Sequence, residues 1–294
     1  MPRPELALDH VTLLVRRLDR TAQAFERMGF GLSAQLSHEG QLEPGGRIVA
    51  WGTAGRCITL DHGYLELMAA TGGTEYGQDV ARRAKRREGI HLVAFGTPDL
   101  SDLRADLGPN VPGIEAPVSL VREWPAGSGS QPAAFRMAHL DGRAWPEADL
   151  VLIEHRSRDV VWHPSRPVHV NGATALAFVV LAVQDVGRSR ERFARLLGPA
   201  AGSTFRLGGG GRLTVTDLVG VVRRYPGAGV AEAPFPAALG IRVAELRLVE
   251  SILVRNQVPH QRTPNDTIWV GPAEAGGCII EFVAETVPGR ERTI

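Results

Sequence analysis

Two side chains in the first quarter of the chain have the type and the setting to do chemistry. His10 sits in the run Leu8-Asp9-His10-Val11-Thr12-Leu13-Leu14-Val15, and Glu66 in Gly63-Tyr64-Leu65-Glu66-Leu67-Met68-Ala69. Both runs are apolar and rich in β-forming residues, so each reads as a strand. A carboxylate among apolar neighbours either faces solvent or has a partner, because burying it alone is very costly. Strand alternation puts Tyr64, Glu66 and Met68 on one face and Leu65, Leu67 and Ala69 on the other. Glu66 then shares its face with an aromatic ring and a thioether, which suggests a lined cavity. The alternative is an edge-strand carboxylate in solvent.

Other chemistries find little support. Gly208–Gly211 resembles a phosphate loop only in its glycines, since no Lys-Ser/Thr follows, and it reads as a hairpin turn. Gly127-Ser128-Gly129-Ser130 has the wrong spacing for a nucleophile elbow. Cys57 and Cys278 are far apart and neither belongs to a CxxC pair. That excludes a disulfide scaffold and a Cys-rich zinc site, and fits a reducing cytosol, so a cytoplasmic location is expected. A net charge of +1 gives no case for nucleic acid or an anionic membrane as partner. The longest apolar run, Ala173–Val183, falls short of the ~20 residues of a helical span. The opening MPRPELALDH lacks the apolar core of a secretory signal. The basic run Arg82–Glu88 reads as a solvated helix end, with an anion-binding patch as the alternative.

The elements that must position His10 and Glu66 repeat along the chain. The 294 residues suffice for two domains or one large one. Leu14–Gly29 reads as a strand end, a turn, then a helix stopped by Gly, and Ala182–Gly198 has the same plan. Weaker copies begin at Gly89–Phe95 and Leu239–Val243, the latter followed by a helical stretch over Ala244–Asn256. Further strand-like runs follow each start: Gly31–Gln35, Arg47–Trp51 with Arg56–Leu60, and Tyr64–Ala69 in the first unit, and Pro259–Arg262, Thr267–Val270 and Cys278–Ala284 in the last. Asp61-His62-Gly63 reads as a hairpin turn and Glu123–Pro132 as a solvent-facing loop. The expected fold is α+β: four βαβββ modules in two pairs, over residues 5–156 and 173–286, joined by a polar connector over 157–172.

The run Gly52–Leu67, preceded by Leu8-Asp9-His10-Val11, resembles the glyoxalase-like domains of the vicinal oxygen chelate superfamily. That resemblance implies paired βαβββ modules curved around a metal-centred cleft. A His or Gln on the first strand and a Glu on the last strand of each module would be the ligands. In module one these are His10 and Glu66; module two offers His91 and Glu154. Such a nitrogen and carboxylate set suits Fe, Mn, Ni, Zn or Co as the divalent metal. Register leaves alternatives open, because alignment puts the counterpart of His10 at Leu92 or Ile90, one residue either side of His91. His91 is otherwise a strand-end His held by backbone, and Glu154 a polar edge residue, with His155 as another nitrogen donor.

The second pair departs from the pattern. Phe178 stands where His10 does, the last module's first strand has no His, and Glu281 matches Glu66. Any metal is therefore expected in the first pair. One reading is a metal-dependent lyase, isomerase or dioxygenase acting on a small oxygen-bearing substrate, with Glu66 or Glu154 as base. Trp51, Tyr64, Met68, Phe95 and His155 would line its cleft. The other reading is a metal-free protein that binds or sequesters a small molecule. Either way the partner is a small molecule and the chain a monomer or homodimer. His155, Trp162 and Asn171 are expected at the interface of the halves or in the cleft.

Overall fold

The computed structural model describes residues 5–41, 47–126, 129–229 and 231–285. Among these, the first half supplies β1 (Ala7–Leu14), β2 (Leu36–Gln41), β3 (Ile48–Thr59), β4 (Tyr64–Ala70), β5 (Gly89–Gly96), β6 (Val118–Ala126), β7 (Gly129–His139) and β8 (Asp149–His155). They form one eight-stranded sheet in the order β2-β3-β4-β1-β5-β8-β7-β6. The second half supplies β9 (Ala173–Ala182), β10 (Ala200–Ala201), β11 (Thr204–Arg206), β12 (Arg212–Thr216), β13 (Phe235–Val243), β14 (Gln261–Arg262), β15 (Ile268–Val270) and β16 (Ile279–Ala284). These repeat the arrangement as β10-β11-β12-β9-β13-β16-β15-β14. In each sheet the first and last strands of a module pair in parallel, and the two modules meet antiparallel, β1 on β5 and β9 on β13. This is the α+β architecture of paired βαβββ modules.

Each module's helix follows its first strand: α1 (Leu18–Arg27), α3 (Leu100–Leu107), α5 (Val186–Leu197) and α7 (Leu246–Arg255). Three more helices, α2 (Glu75–Arg86), α4 (Arg158–Val161) and α6 (Leu218–Arg224), lie in the connections. Asp99, Asp185 and Asp217 start α3, α5 and α6 by accepting backbone N–H groups, and Thr74 does so for α2. No helix among the described residues is long and apolar enough to cross a membrane.

Alternation along the strands gives each sheet two faces. Val11, Leu13, Leu65, Leu67, Val93, Phe95, Leu150 and Leu152 join the core that packs under the helices and runs on into Val179, Leu181, Leu239 and Ile241 of the second sheet. The opposite, inner faces hold separate clusters, around Tyr64, Trp124 and Phe135 in the first half and Phe178, Tyr225 and Trp269 in the second. In the first sheet the end strands β2 and β6 approach each other, so the sheet curls around its inner face.

Local departures from the sequence reading have simple causes. Gly31–Gln35 is irregular and the strand begins at Leu36, while Arg47–Trp51 and Arg56–Leu60 belong to the single long β3. Asp61-His62-Gly63 does turn the chain, with Gly63 at φ +83° and its carbonyl accepting the Leu60 N–H. Glu123–Pro132 is mostly strand, because β6 and β7 pair through Glu123↔Pro132 to Ala126↔Gly129; Gly127 and Ser128 lie outside the described residues. Gly208–Gly211 is a hairpin turn between β11 and β12, closed by Leu207 N–H to the Gly211 carbonyl. Asn171, fully buried, bridges Met28 O and Ala173 N and fastens the halves together.

Candidate functional site in the first sheet

The inner face of the first sheet encloses a cavity of about 240 Å³, lined in part by His10, Trp51, Tyr64, Glu66, Met68 and Arg122. The parallel register sets His10 beside Tyr64 and Thr12 beside Glu66, which carries both chemical groups of the sequence reading into one hollow. His10 stacks on the Tyr64 ring with centroids 4.4 Å apart.

Each group is held by residues that sequence did not single out for it. Glu66 accepts hydrogen bonds from Thr12 Oγ1 at 3.1 Å and Arg122 Nη1 at 3.2 Å, and His38 Nε2 lies 3.4 Å away. Burial works against its ionisation, yet Arg122 and then His38 hold the carboxyl well below the usual carboxylate range. Arg122 is held charged in turn: burial opposes its charge, and the neighbouring groups, Glu66 foremost, together overcome it. Its guanidinium also lies 4.8 Å from the Trp124 ring centre. His10 Nδ1 lies 2.8 Å from Asp9 Oδ1, and His155 Nε2 lies 3.0 Å from Asp9 Oδ2. Those two imidazoles keep the buried Asp9 ionised against the cost of burial.

Two residues taken as ligands point elsewhere. Leu92 faces the cavity, whereas the neighbouring His91 lines a separate cavity of about 690 Å³ between the halves. There His91 Nε2 lies 2.8 Å from the Arg87 carbonyl, and burial with Arg87 pushes its pKa down to about 4. The ladder skips His91 between Thr12↔Leu92 and Leu13↔Ile90, so the irregularity there does not turn it into the cleft. Glu154 shares the helix-side face with Leu150 and Leu152. It accepts the Leu100 N–H at the start of α3 at 3.1 Å and pairs with Arg136 and Arg156 at 3.3 and 2.6 Å. Phe95 is fully buried in the helix-side core and does not line the cleft. His155 stands behind His10, reached through Asp9, with Trp162 5.0 Å from it and hydrogen-bonded to the Leu60 carbonyl. Of the basic run Arg82–Glu88, Arg83, Arg86 and Arg87 line the cavity between the halves, with Arg83 paired to Asp149.

The donor set does not fit a divalent metal. Superposing the parallel pairs puts Leu92 in the place of His10 and Val151 in the place of Glu66, so module two contributes hydrocarbon where it would need donors. Among the described residues no group of three or more His, Cys, Asp or Glu side chains is arranged to hold a metal ion. The Arg122 guanidinium already supplies Glu66 with the counter-charge a metal would bring. His38 and Arg122 were not legible as site residues. The signal for Arg122 was its place in Leu120-Val121-Arg122-Glu123-Trp124, where alternation groups it with the buried Leu120 and Trp124. His38 carried none, lying among polar residues.

The model of a family described as a glyoxalase-like domain matches residues 8–197. No curated protein matches the sequence. Among solved structures, a hypothetical protein from Staphylococcus aureus aligns with TM-score 0.63 at 10% identity, covering 95% of this chain and 100% of its own. A mutant of 4-hydroxymandelate synthase from Streptomyces coelicolor aligns with TM-score 0.61 at 16% identity, covering 96% and 93%. The 2,3-dioxygenase LapB from a Pseudomonas species aligns with TM-score 0.54 at 14% identity, covering 99% and 97%. At these identities the likeness is one of fold.

Proposed function

The chain belongs to the glyoxalase-like domain family, and from that premise we propose that its first sheet forms a metal-free cleft for a small aromatic molecule. The observation that carries this reading is the Arg122 guanidinium 3.2 Å from Glu66 Oε1, a built-in cation on the one carboxylate among the described residues that lines the cavity. The walls support it too. Tyr64, Phe135, Met68, Met137 and Leu92 are apolar surfaces, and about 240 Å³ accommodates a single substituted ring. A metal-dependent lyase, isomerase or dioxygenase, which the superfamily resemblance implies, would need donors from module two. Leu92 and Val151 stand there, and Glu154, the second base considered, lies on the other face of its strand.

The test is metal analysis of protein purified without chelator, followed by melting curves with added Fe²⁺, Mn²⁺, Ni²⁺, Co²⁺ or Zn²⁺ and, separately, with acetophenone. The expected result is no bound metal, a Tm unmoved by the metals, and a Tm raised by acetophenone. One equivalent of metal, lost in both His10→Ala and Glu66→Ala, would overturn the proposal.

A further inference from the structure

Apart from the cleft of the first sheet, we infer that the cavity of about 690 Å³ between the halves is a second ligand site, which takes a small organic phosphate on Arg86 and Arg87. The two are consecutive at the end of α2, and a helix would splay them apart. Arg87 instead leaves the helix in an extended conformation, at φ −156° and ψ 126°, and both side chains line the cavity. Arg86 has no ion pair or hydrogen bond among the described residues, as befits a solvated helix end. Arg87 is harder to explain that way. It is half-buried, its Nη atoms donate to the Glu88 and Ile90 carbonyls at 3.4 and 2.9 Å, and its guanidinium lies 5.3 Å from the ring centre of Phe235 in the second half. Among the described residues no carboxylate pairs with it. Burial works against its charge, and so do the nearby Arg83 and Arg86 guanidiniums. An arginine does not escape such crowding by losing its proton, so an anion is what relieves it.

The acids of the same wall are already taken. Asp79 pairs with Arg82 at 3.1 Å, Asp149 with Arg83, and Glu147 with Arg192. Of the described lining residues, that leaves Arg86 and Arg87 as unpaired cations against Glu232, which is exposed and screened by water. Two guanidiniums without a carboxylate favour a dianion over a single negative charge. A phosphate monoester carries nearly two charges at neutral pH and offers three acceptor oxygens to their forked donors. The cavity is far larger than a bare phosphate, so a sugar-sized group has room beside it.

Calorimetric titration of the whole chain at fixed ionic strength tests this with inorganic phosphate, glucose 6-phosphate, glucose and gluconate. None is aromatic, so the cleft of the first sheet stays out of the measurement. Both phosphates should bind, gluconate should bind roughly tenfold more weakly than glucose 6-phosphate, and uncharged glucose should not bind. Arg86→Met should weaken glucose 6-phosphate roughly tenfold, and Arg87→Met should weaken it further. Lys85→Met removes one charge from an exposed position of the same run that does not line the cavity, and should change the affinity by less than about twofold. Arg86 makes no contact that the fold needs, so its variant decides by itself should Arg87→Met not fold. No binding of either phosphate, glucose binding as tightly as its phosphate, gluconate matching glucose 6-phosphate, or equal weakening in Lys85→Met and Arg86→Met overturns this inference and leaves the cleft reading standing.

Discussion

The two sheets share one strand order, yet their inner faces have opposite fates. In the first, His10, Glu66 and Arg122 border a cavity. In the second, Phe178 takes the ladder place of His10, paired with Gly240 as His10 is with Ala94. The Phe178 ring lies against the Gly240 backbone in space a side chain would need, so the middle of the face is packed by an aromatic ring. The second face also holds one buried carboxylate, Glu281, on the last strand of module four, with Thr214 in the place of Glu66. Arg224 grips Glu281 through two contacts of 2.9 Å, while Tyr225 and Thr267 donate at 2.5 and 2.6 Å. Both halves thus neutralise a lone carboxylate with arginine. One does so beside a cavity with its arginine largely buried, and the other with Glu281 fully enclosed and Arg224 reaching it from the surface, so the same ion pair serves a site in one half and packing in the other.

Removing the arginines is the strongest way to break that comparison. Arg224→Met leaves the fully buried Glu281 without its cation while Tyr225 and Thr267 still donate, and because Arg224 is itself partly exposed the cost should be about 3 kcal/mol, read as a lower urea midpoint. Acid comes next and should separate the groups by pH. Glu66 and Asp9 have folded pKa values below their unfolded ones, so their contribution is present above the usual carboxylate range and is lost on acidification. Together they should cost about 3 kcal/mol by pH 3, and Asp9→Asn should flatten that slope. His91, outside both inner faces, acts earlier. Its pKa is lowered from 6.5 to about 4, so stability is full above pH 6.5 and falls toward pH 4. The loss should be about 2 kcal/mol by pH 5, absent in His91→Asn.

The cleft counterparts should respond less. Arg122→Met leaves Glu66 next to a cavity that admits water, with Thr12 and His38 still in place. Its cost should be about 2 kcal/mol, less than at Arg224, and the Glu66 carboxyl should titrate nearer the ordinary carboxylate range. A larger loss than for Arg224→Met would show that burial of the arginine, greater at Arg122, sets the cost rather than burial of the carboxylate. Smallest of all, Trp51→Phe removes an N–H that no group among the described residues accepts, and should leave the urea midpoint within about 0.5 kcal/mol of wild type.

Much of the candidate site was legible because strand alternation is local. Tyr64, Glu66 and Met68 do share a face, and Trp51 does border the same hollow. His91 and Glu154 were misplaced for the same reason: a one-residue difference reverses a side chain's face, and the irregular pairing of β5 with β1 is not written in the composition of either strand. Arg122 was missed because Glu123–Pro132 read as a loop, its Gly and Ser residues masking a long hairpin.

Sequence by itself determined the module repeat, the pairing of modules and the two strands that bear the chemical groups, since periodicity and turn residues act over a few neighbours. Tertiary structure alone decided that Arg122, from a strand far along the chain, would sit on Glu66, and that hydrocarbon would stand where module two needed donors. Which charge meets a buried carboxylate depends on how a curled sheet brings its distant strands together, and no local pattern carries that distance.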